Sequence, residues 1–295
     1  MAVSEAVILS DDEAGSLLVG PDSACWRYAS DARLYQVMLY PLLLQVAHPT
    51  VGAGVRDFSD FDRRPFDRLL RTLDYVSLLV YGGEAAVCAG RRLRAMHKGF
   101  RGTRDDGASY YALEPGAYAW VHATLLESYV AGHRHFGTPM PPADREAFYR
   151  EYRDLGRLIG VRAGELPDRW SGFREYFDHV CATVLEPNPT VARVLASVQD
   201  PPPPLPLPDP LWRALRRPAR RALWLGGIGL MAPALRERLQ IPWSRADARA
   251  FQRLGRISRA GGALMPPPLR VLGPVQLRLR RRAIAAGPLG SAGAQ

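Results

Sequence analysis

Successive stretches of this chain place apolar residues three and four apart, which is the period of one face of an α-helix. Residues 66–80 carry Phe66, Leu69, Leu73, Val76 and Val80 in that rhythm. Residues 84–100 carry Ala85, Ala89, Leu93, Met96 and Phe100, and residues 116–131 carry Tyr118, Val121, Leu125 and Tyr129. The pattern returns at 143–159 (Phe148, Tyr152, Leu155, Ile159) and at 170–185 (Trp170, Phe173, Phe177, Val180, Val184). Leu34, Val37 and Met38 lead into PLLLQVAHP, an apolar segment interrupted by Pro41 and ended by Pro49. Alternating β-branched runs are missing. The expectation is an all-α protein, a single multi-helix bundle with an apolar pocket, its helices joined by loops rich in Gly and Pro.

Composition divides the chain near residue 200. Residues 1–24 read as an N-terminal tail and 25–199 as a helical core of mixed charge. DPPPPLPLPDP, residues 200–210, reads as a stiff polyproline strap. Residues 211–282 read as a basic helical part packed on the core, with Arg213, Arg216, Arg217, Arg220 and Arg221 early and Arg278, Arg280, Arg281 and Arg282 late. Residues 283–295 read as a disordered end. The net charge is +10, and Lys98 is the only lysine. Arginine stays protonated and grips carboxylates and phosphates in a fork. Nucleic acid is disfavoured as a partner, since the basic part lacks aromatic-laced strands and a helix-turn-helix. LWRALRRPARRALWL, residues 211–225, instead fits either peripheral contact with an anionic membrane or packing on the helical body.

The 3 cysteines are too few and too scattered for a disulfide framework or a zinc site. Cys88, among alanines, reads as a small core residue. No apolar run is long enough to span a bilayer, and the acidic start MAVSEAVILSDDEAG does not read as a secretory signal. A cytoplasmic protein, with or without membrane-peripheral contact, is the expectation. GIGLMA, residues 227–232, fits a dinucleotide-binding turn, but without a flanking strand-helix-strand unit it reads as a flexible bend.

In a helical protein, polar residues on the buried stripe are the informative ones. His122 lies inside the stripe of WVHATLLESY, as a satisfied core histidine or as a ligand. His97, in RRLRAMHKGFRG, flanks an apolar stripe and faces either a pocket or solvent. Arg68 and Thr72 stand one turn apart on a part-apolar face, suited to an anion or a cofactor edge, or else to a snorkelling arginine and a locally bonded threonine. Glu151 falls between Phe148 and Tyr152 and needs a partner if buried. His48, before Pro49, reads as a helix C-cap set against the dipole. His133 and His135 read as a solvated turn after a helix ended by Gly132.

The segments QVAHPTVGAGVRDFSDF, RPFDRLLRTLDYVSLLVYGG, RRLRAMHKGFRG, YYALEPGAYAWVHATLLESY, FYREYRDLGRLIGV and ELPDRW occur in that order. Together they resemble the catalytic domain shared by MpaB-type oxygenases and latex-clearing protein (rubber oxygenase). The resemblance covers roughly residues 25–260. It implies a helical bundle holding haem b and an oxygenase that attacks carbon-carbon double bonds of hydrophobic, isoprenoid-like chains with O2. Arg68 and Thr72 match the family's arginine-threonine pair. His97 best matches the proximal iron ligand, with His122 as the second candidate. The family's distal lysine falls at Arg71, a poor iron ligand because it stays protonated, which implies an open or water-filled distal position or a different chemistry. Haem propionates need cations, for which Arg68, Arg71, Arg91 and Arg94 are the candidates, and Glu151 is the candidate acceptor behind the ligating imidazole. The partners implied are O2 and a small hydrophobic substrate; whether a redox partner is required stays open. The competing expectation is a non-catalytic helical carrier of a lipid or other hydrophobic ligand.

Overall fold

The structure, a computed structural model, describes residues 9–59, 65–199, 208–266 and 271–286. Its helices follow the apolar stripes closely. α1 (Asp11–Ser16) and α2 (Ala24–Ala29) precede a 3-10 turn, η1 (Ala32–Val37). Then come α3 (Leu39–Ala47), α4 (Pro49–Phe58), α5 (Pro65–Tyr81) and α6 (Glu84–His97). The body continues through α7 (Pro115–His135), α8 (Pro142–Leu158), α9 (Trp170–Thr183) and α10 (Pro189–Gln199).

α7 is the hub. It is buried on nearly every side, from Ala117 to His133, as a helix enclosed by other helices must be. Its start is defined by chemistry. Pro115 occupies the first turn, where no amide partner is needed, and the Glu114 carboxylate accepts from the Gly116 and Ala117 amides at 3.2 and 2.9 Å. α3, α8 and η1 pack against α7, while α5 and α6 pack against each other. Gly90 sets the closeness of α6 and α8, because a Cβ there would lie 2.2 Å from the Leu158 carbonyl oxygen.

Several expectations change. The N-terminal segment is no tail from Leu9 onward. Ser10 and Glu13 form a capping box that starts α1, and Ala14 is buried in the core. Pro41 does not interrupt its helix; it sits in the first turn of α3, where its missing amide costs nothing. Gly132 does not end α7, which runs to His135. A Cβ on Gly132 would come within 2.6 Å of Leu34 Cδ2, so this glycine serves packing. His133 is accordingly buried rather than solvated, its Nε2–H donating to the Tyr28 carbonyl at 2.8 Å. Cys88 is exposed rather than in the core, since Ala86, Ala89 and Gly90 form the buried face of α6. A short hairpin, β1 (Arg101–Thr103) with β2 (Ser109–Tyr111), turns through Gly107 and was not legible as strand.

Residues 200–207 of the expected proline strap, and 287–295 of the expected tail, lie outside the described residues. α11 (Asp209–Ile228) runs unbroken through Pro218. Its first half is exposed, whereas Leu225–Ile228 is buried against η1 and α3. The bend after it is packed, not loose: a Cβ on Gly229 would meet Phe251 Cδ2 at 2.3 Å. α12 (Pro233–Arg238) and α13 (Arg245–Leu264) follow. The last helix among the described residues, α14 (Gly273–Ala286), returns to lie along α5.

Candidate functional site

The walls contributed by α4, α5, α6 and α7 enclose a cavity of about 380 Å3. Its lining is mostly aliphatic and aromatic, with a few polar side chains among them, the composition of a small-molecule site. Phe58 (45% exposed) and Met96 (41% exposed) stand at its mouth, and Phe58 stacks on Phe100 with ring centres 4.3 Å apart.

His97 reaches this cavity from the last turn of α6. Its Nδ1 lies 2.7 Å from the Leu93 carbonyl oxygen. A carbonyl only accepts, so Nδ1 carries the proton and Nε2 keeps its lone pair. Burial lowers the pKa of His97 below the usual 6.5, which keeps the ring neutral at pH 7. Phe100 and Tyr118 set their rings edge-on to the imidazole at 5.2 and 5.9 Å and limit its rotation. The acceptor behind the imidazole is therefore the backbone of its own helix, not Glu151.

His122 lines the same cavity from α7 but is fully enclosed. Its Nε2–H donates to the Tyr152 carbonyl at 2.7 Å, as the core reading expects. One ring face stacks on Tyr152 at 4.7 Å, and Gly156 makes room at the ring, where a Cβ would sit 2.8 Å from Nε2. Burial holds its pKa down at about 4. Its Nδ1 is an unprotonated acceptor with no hydrogen-bond partner. The Tyr75 hydroxyl, on α5, is buried at the same cavity and equally unpartnered. The sequence pattern shows Tyr75 only as one more residue on an apolar stripe, with nothing to mark its hydroxyl as a site group.

Thr72 and Arg71 both line the cavity, Arg71 as an exposed residue. Arg68 belongs to α5 by its backbone, but its side chain lies outside the described residues. Arg94 and Arg91 are not at this cavity; they occupy the other side of α6, where Arg91 bonds Asp11 at 2.7 Å. Glu151 is also elsewhere. Its carboxylate accepts from the Ala24 and Cys25 amides at 3.2 and 2.7 Å, supplying the acceptors that the start of α2 lacks. His48 links α3 to α4, and burial lowers its pKa to about 4, so it carries no charge to set against a dipole.

One part of the wall escapes sequence reasoning altogether. Asp74, buried beside Thr72, receives a forked hydrogen bond from Arg280 of α14, at 2.9 Å from Nε and 2.8 Å from Nη2. One turn further along α14, Ile284 lines the cavity. The only sequence signal was a carboxylate set among apolar neighbours on a helix stripe. Its partner is two hundred residues away.

A bare metal ion would need several protein ligands, and among the described residues no three His, Cys, Asp or Glu side chains converge. The donor set fits haem better: one oriented neutral imidazole, apolar walls, and Arg71 as a cation beside them. No helix of the described residues is long and apolar enough to cross a membrane.

The chain is 30% identical over 240 residues to "Uncharacterized protein Mb2261" of Mycobacterium bovis, a match covering 78% of this chain and 90% of the relative. "Uncharacterized protein Rv2237" of Mycobacterium tuberculosis matches to the same extent, 30% over 240 residues. No solved structure matches significantly. The model of the family described as "ER-bound oxygenase mpaB/B'/Rubber oxygenase, catalytic domain" matches residues 26–260, most of the chain and with it helices α4 to α7, which supply most of the cavity wall, so this protein belongs to that oxygenase family.

Proposed function

We propose that the protein is a haem b-dependent oxygenase acting with O2 on a hydrophobic alkene, of the isoprenoid kind, held in this cavity. The observation that carries the reading is His97: a neutral imidazole at an apolar cavity, its Nδ1–H tied to the Leu93 carbonyl and its Nε2 left as the donor atom. That second hydrogen bond is what fixes the tautomer and the basicity of a ligating histidine. Haem, when bound, supplies the oxygen and one-electron chemistry. The chain supplies the rest. Leu93, Val121 and Leu125 cover an apolar substrate and exclude water from it. The Tyr75 phenol, its pKa raised by burial, stays protonated and offers a donor. His122 Nδ1 offers an acceptor, too weakly basic at a pKa of about 4 to hold a proton at pH 7. Arg71 stands as the cation for an acidic cofactor edge.

The exposed first half of α11 supports delivery of such a substrate from a membrane surface. Leu211 and Leu215 project beside Arg213, Arg216 and Arg217, an amphipathic pattern that suits anionic lipid.

The deciding experiment is the absorbance spectrum of the purified protein, with haemin added, before and after dithionite. A Soret band that shifts on reduction is expected. It should vanish in His97→Ala and persist in His122→Ala. A wild-type protein that refuses haemin sinks the proposal, and lipid extraction would then test the carrier reading of the same cavity.

A further inference from the structure

α6 has two working faces. Leu93, Met96 and His97 look into the main cavity. Arg91, Arg94, Ala95 and Lys98, spaced three and four apart, line a second and separate pocket of about 190 Å3. Arg157 of α8 joins them, so four cationic side chains border one small space. Between the charges the lining is aliphatic: Leu9, Val87 and Leu158.

The pocket is shaped for its arginine. Gly160, directly after the α8 end, holds a left-handed φ of +97°, and a Cβ there would lie 2.9 Å from Arg94 Nη1. Any side chain at 160 would be strained and would push the guanidinium aside. The chain also places a carboxylate of its own at the pocket. Asp11 of α1 bonds Arg91 at 2.7 Å, yet Asp11 is 86% exposed and its pairing is the weak surface kind. Glu13, the next carboxylate facing this side, is occupied by the Ser10 amide and hydroxyl at 2.9 Å.

We propose that this pocket binds an anionic amphiphile. A carboxylate or phosphate monoester head would sit among Arg91, Arg94, Lys98 and Arg157, and a short alkyl stem would lie on Leu9, Val87 and Leu158. Guanidinium forks match such heads, and the aliphatic strip gives no reason to prefer a bare ion. Asp11 acts as a displaceable stand-in, releasing Arg91 to the incoming head. The volume encloses only the first few carbons of the stem, and the rest of a longer chain would lie at the open side of the pocket. The proposal is independent of whether the main cavity holds haem.

The test is calorimetric titration of the full chain with octyl phosphate, octanoate, octanol and inorganic phosphate. Saturable 1:1 binding of the two anionic amphiphiles is expected. Affinity should fall on the order of tenfold in Arg157→Gln and again in Lys98→Gln, the scale of one charge-assisted hydrogen bond each. Asp11→Asn should bind more tightly than wild type, an outcome that no merely structural role of Asp11 produces. Both altered cations are at least part-exposed, so the variants keep the fold, and thermal melts check this. Octanol binding as tightly as octanoate, with Arg157→Gln unchanged, would place the ligand in the main cavity and overturn the proposal. Inorganic phosphate binding as well as octyl phosphate would overturn the apolar half of the site. Retention by anionic vesicles without saturable binding of the soluble amphiphiles would mean a bilayer-facing patch, and would overturn it too.

Discussion

The helices α5 to α8 and the arm from α11 to α14 use the same amino acids to different ends. In the first region, polar groups are enclosed and their protonation is set by burial: His97 and His122 are neutral because charging them would strand a cation in an apolar wall. In the arm, arginines are mostly solvated, and apolar residues such as Leu215 and Ile257 stand exposed, at 43% and 61%. Yet the arm is not an appendage. Arg280 crosses to Asp74, a carboxylate only 5% exposed, and so holds α14 over the wall of the cavity. An arginine therefore means little by its type or by its place in a basic run. Whether it faces a buried carboxylate decides its contribution.

The sharpest way to break the first region is at Gly90. Val at this position would drive side-chain atoms into the Leu158 carbonyl, 2.2 Å from the new Cβ, and neither backbone can yield cheaply. The expected loss is about 3 kcal/mol or more, measured by urea unfolding.

Acid should separate the regions next. His122 has a folded pKa of about 4 against about 6.5 in the unfolded chain, so the unfolded state takes up the proton first. Its contribution is intact above about pH 6.5 and is lost as pH falls toward about 4, some two and a half pH units at about 1.4 kcal/mol each, or about 3 kcal/mol. His122→Asn should flatten the stability-versus-pH curve by that amount over this window. An unchanged curve would mean that water reaches the ring. The arm from α11 to α14 contains no histidine and should add no such slope.

The arm itself is probed by Arg280→Ala, which leaves Asp74 buried without its fork. A loss of about 2 kcal/mol is expected, less than for a fully enclosed pair because Arg280 is about a third exposed. Limited proteolysis should then cut within α14 first. Arg278→Ala, two residues away on the exposed side, is the matched control. Leu215→Ser should be smallest of all, within about 0.5 kcal/mol of wild type by the same unfolding assay. A larger loss would show that the first half of α11 is covered by something other than solvent.

Legibility followed the same division. Helices α5 to α9 could be placed to within a few residues because each buries one stripe at helical period, and a stripe is a local property. The errors fell where a residue answers to something distant. Gly132 reads as a helix stop, but it exists to admit Leu34. Glu151 reads as a partner for a histidine or an arginine, but it holds the two amides that open α2. Cys88 reads as core from its alanine neighbours, but it stands off the buried face of α6, which is made by Ala86, Ala89 and Gly90 and meets α8. The hairpin after α6 had too few residues to show a period of two.

By itself, then, the chain's order of residues determined the helical class, the span of the central helices, the family, and His97 and His122 as the informative histidines, since all of these rest on periodicity or on short contiguous motifs. Tertiary structure decided the rest. It brought Thr72, Tyr75, His97 and His122 to one cavity, turned Arg91 and Arg94 to the far side of α6, and brought Arg280 to Asp74. The physical reason is that burial and partnership are properties of the packed interior: a side chain's charge, tautomer and reach are set by whichever element lies against it, and that element is seldom its neighbour in sequence.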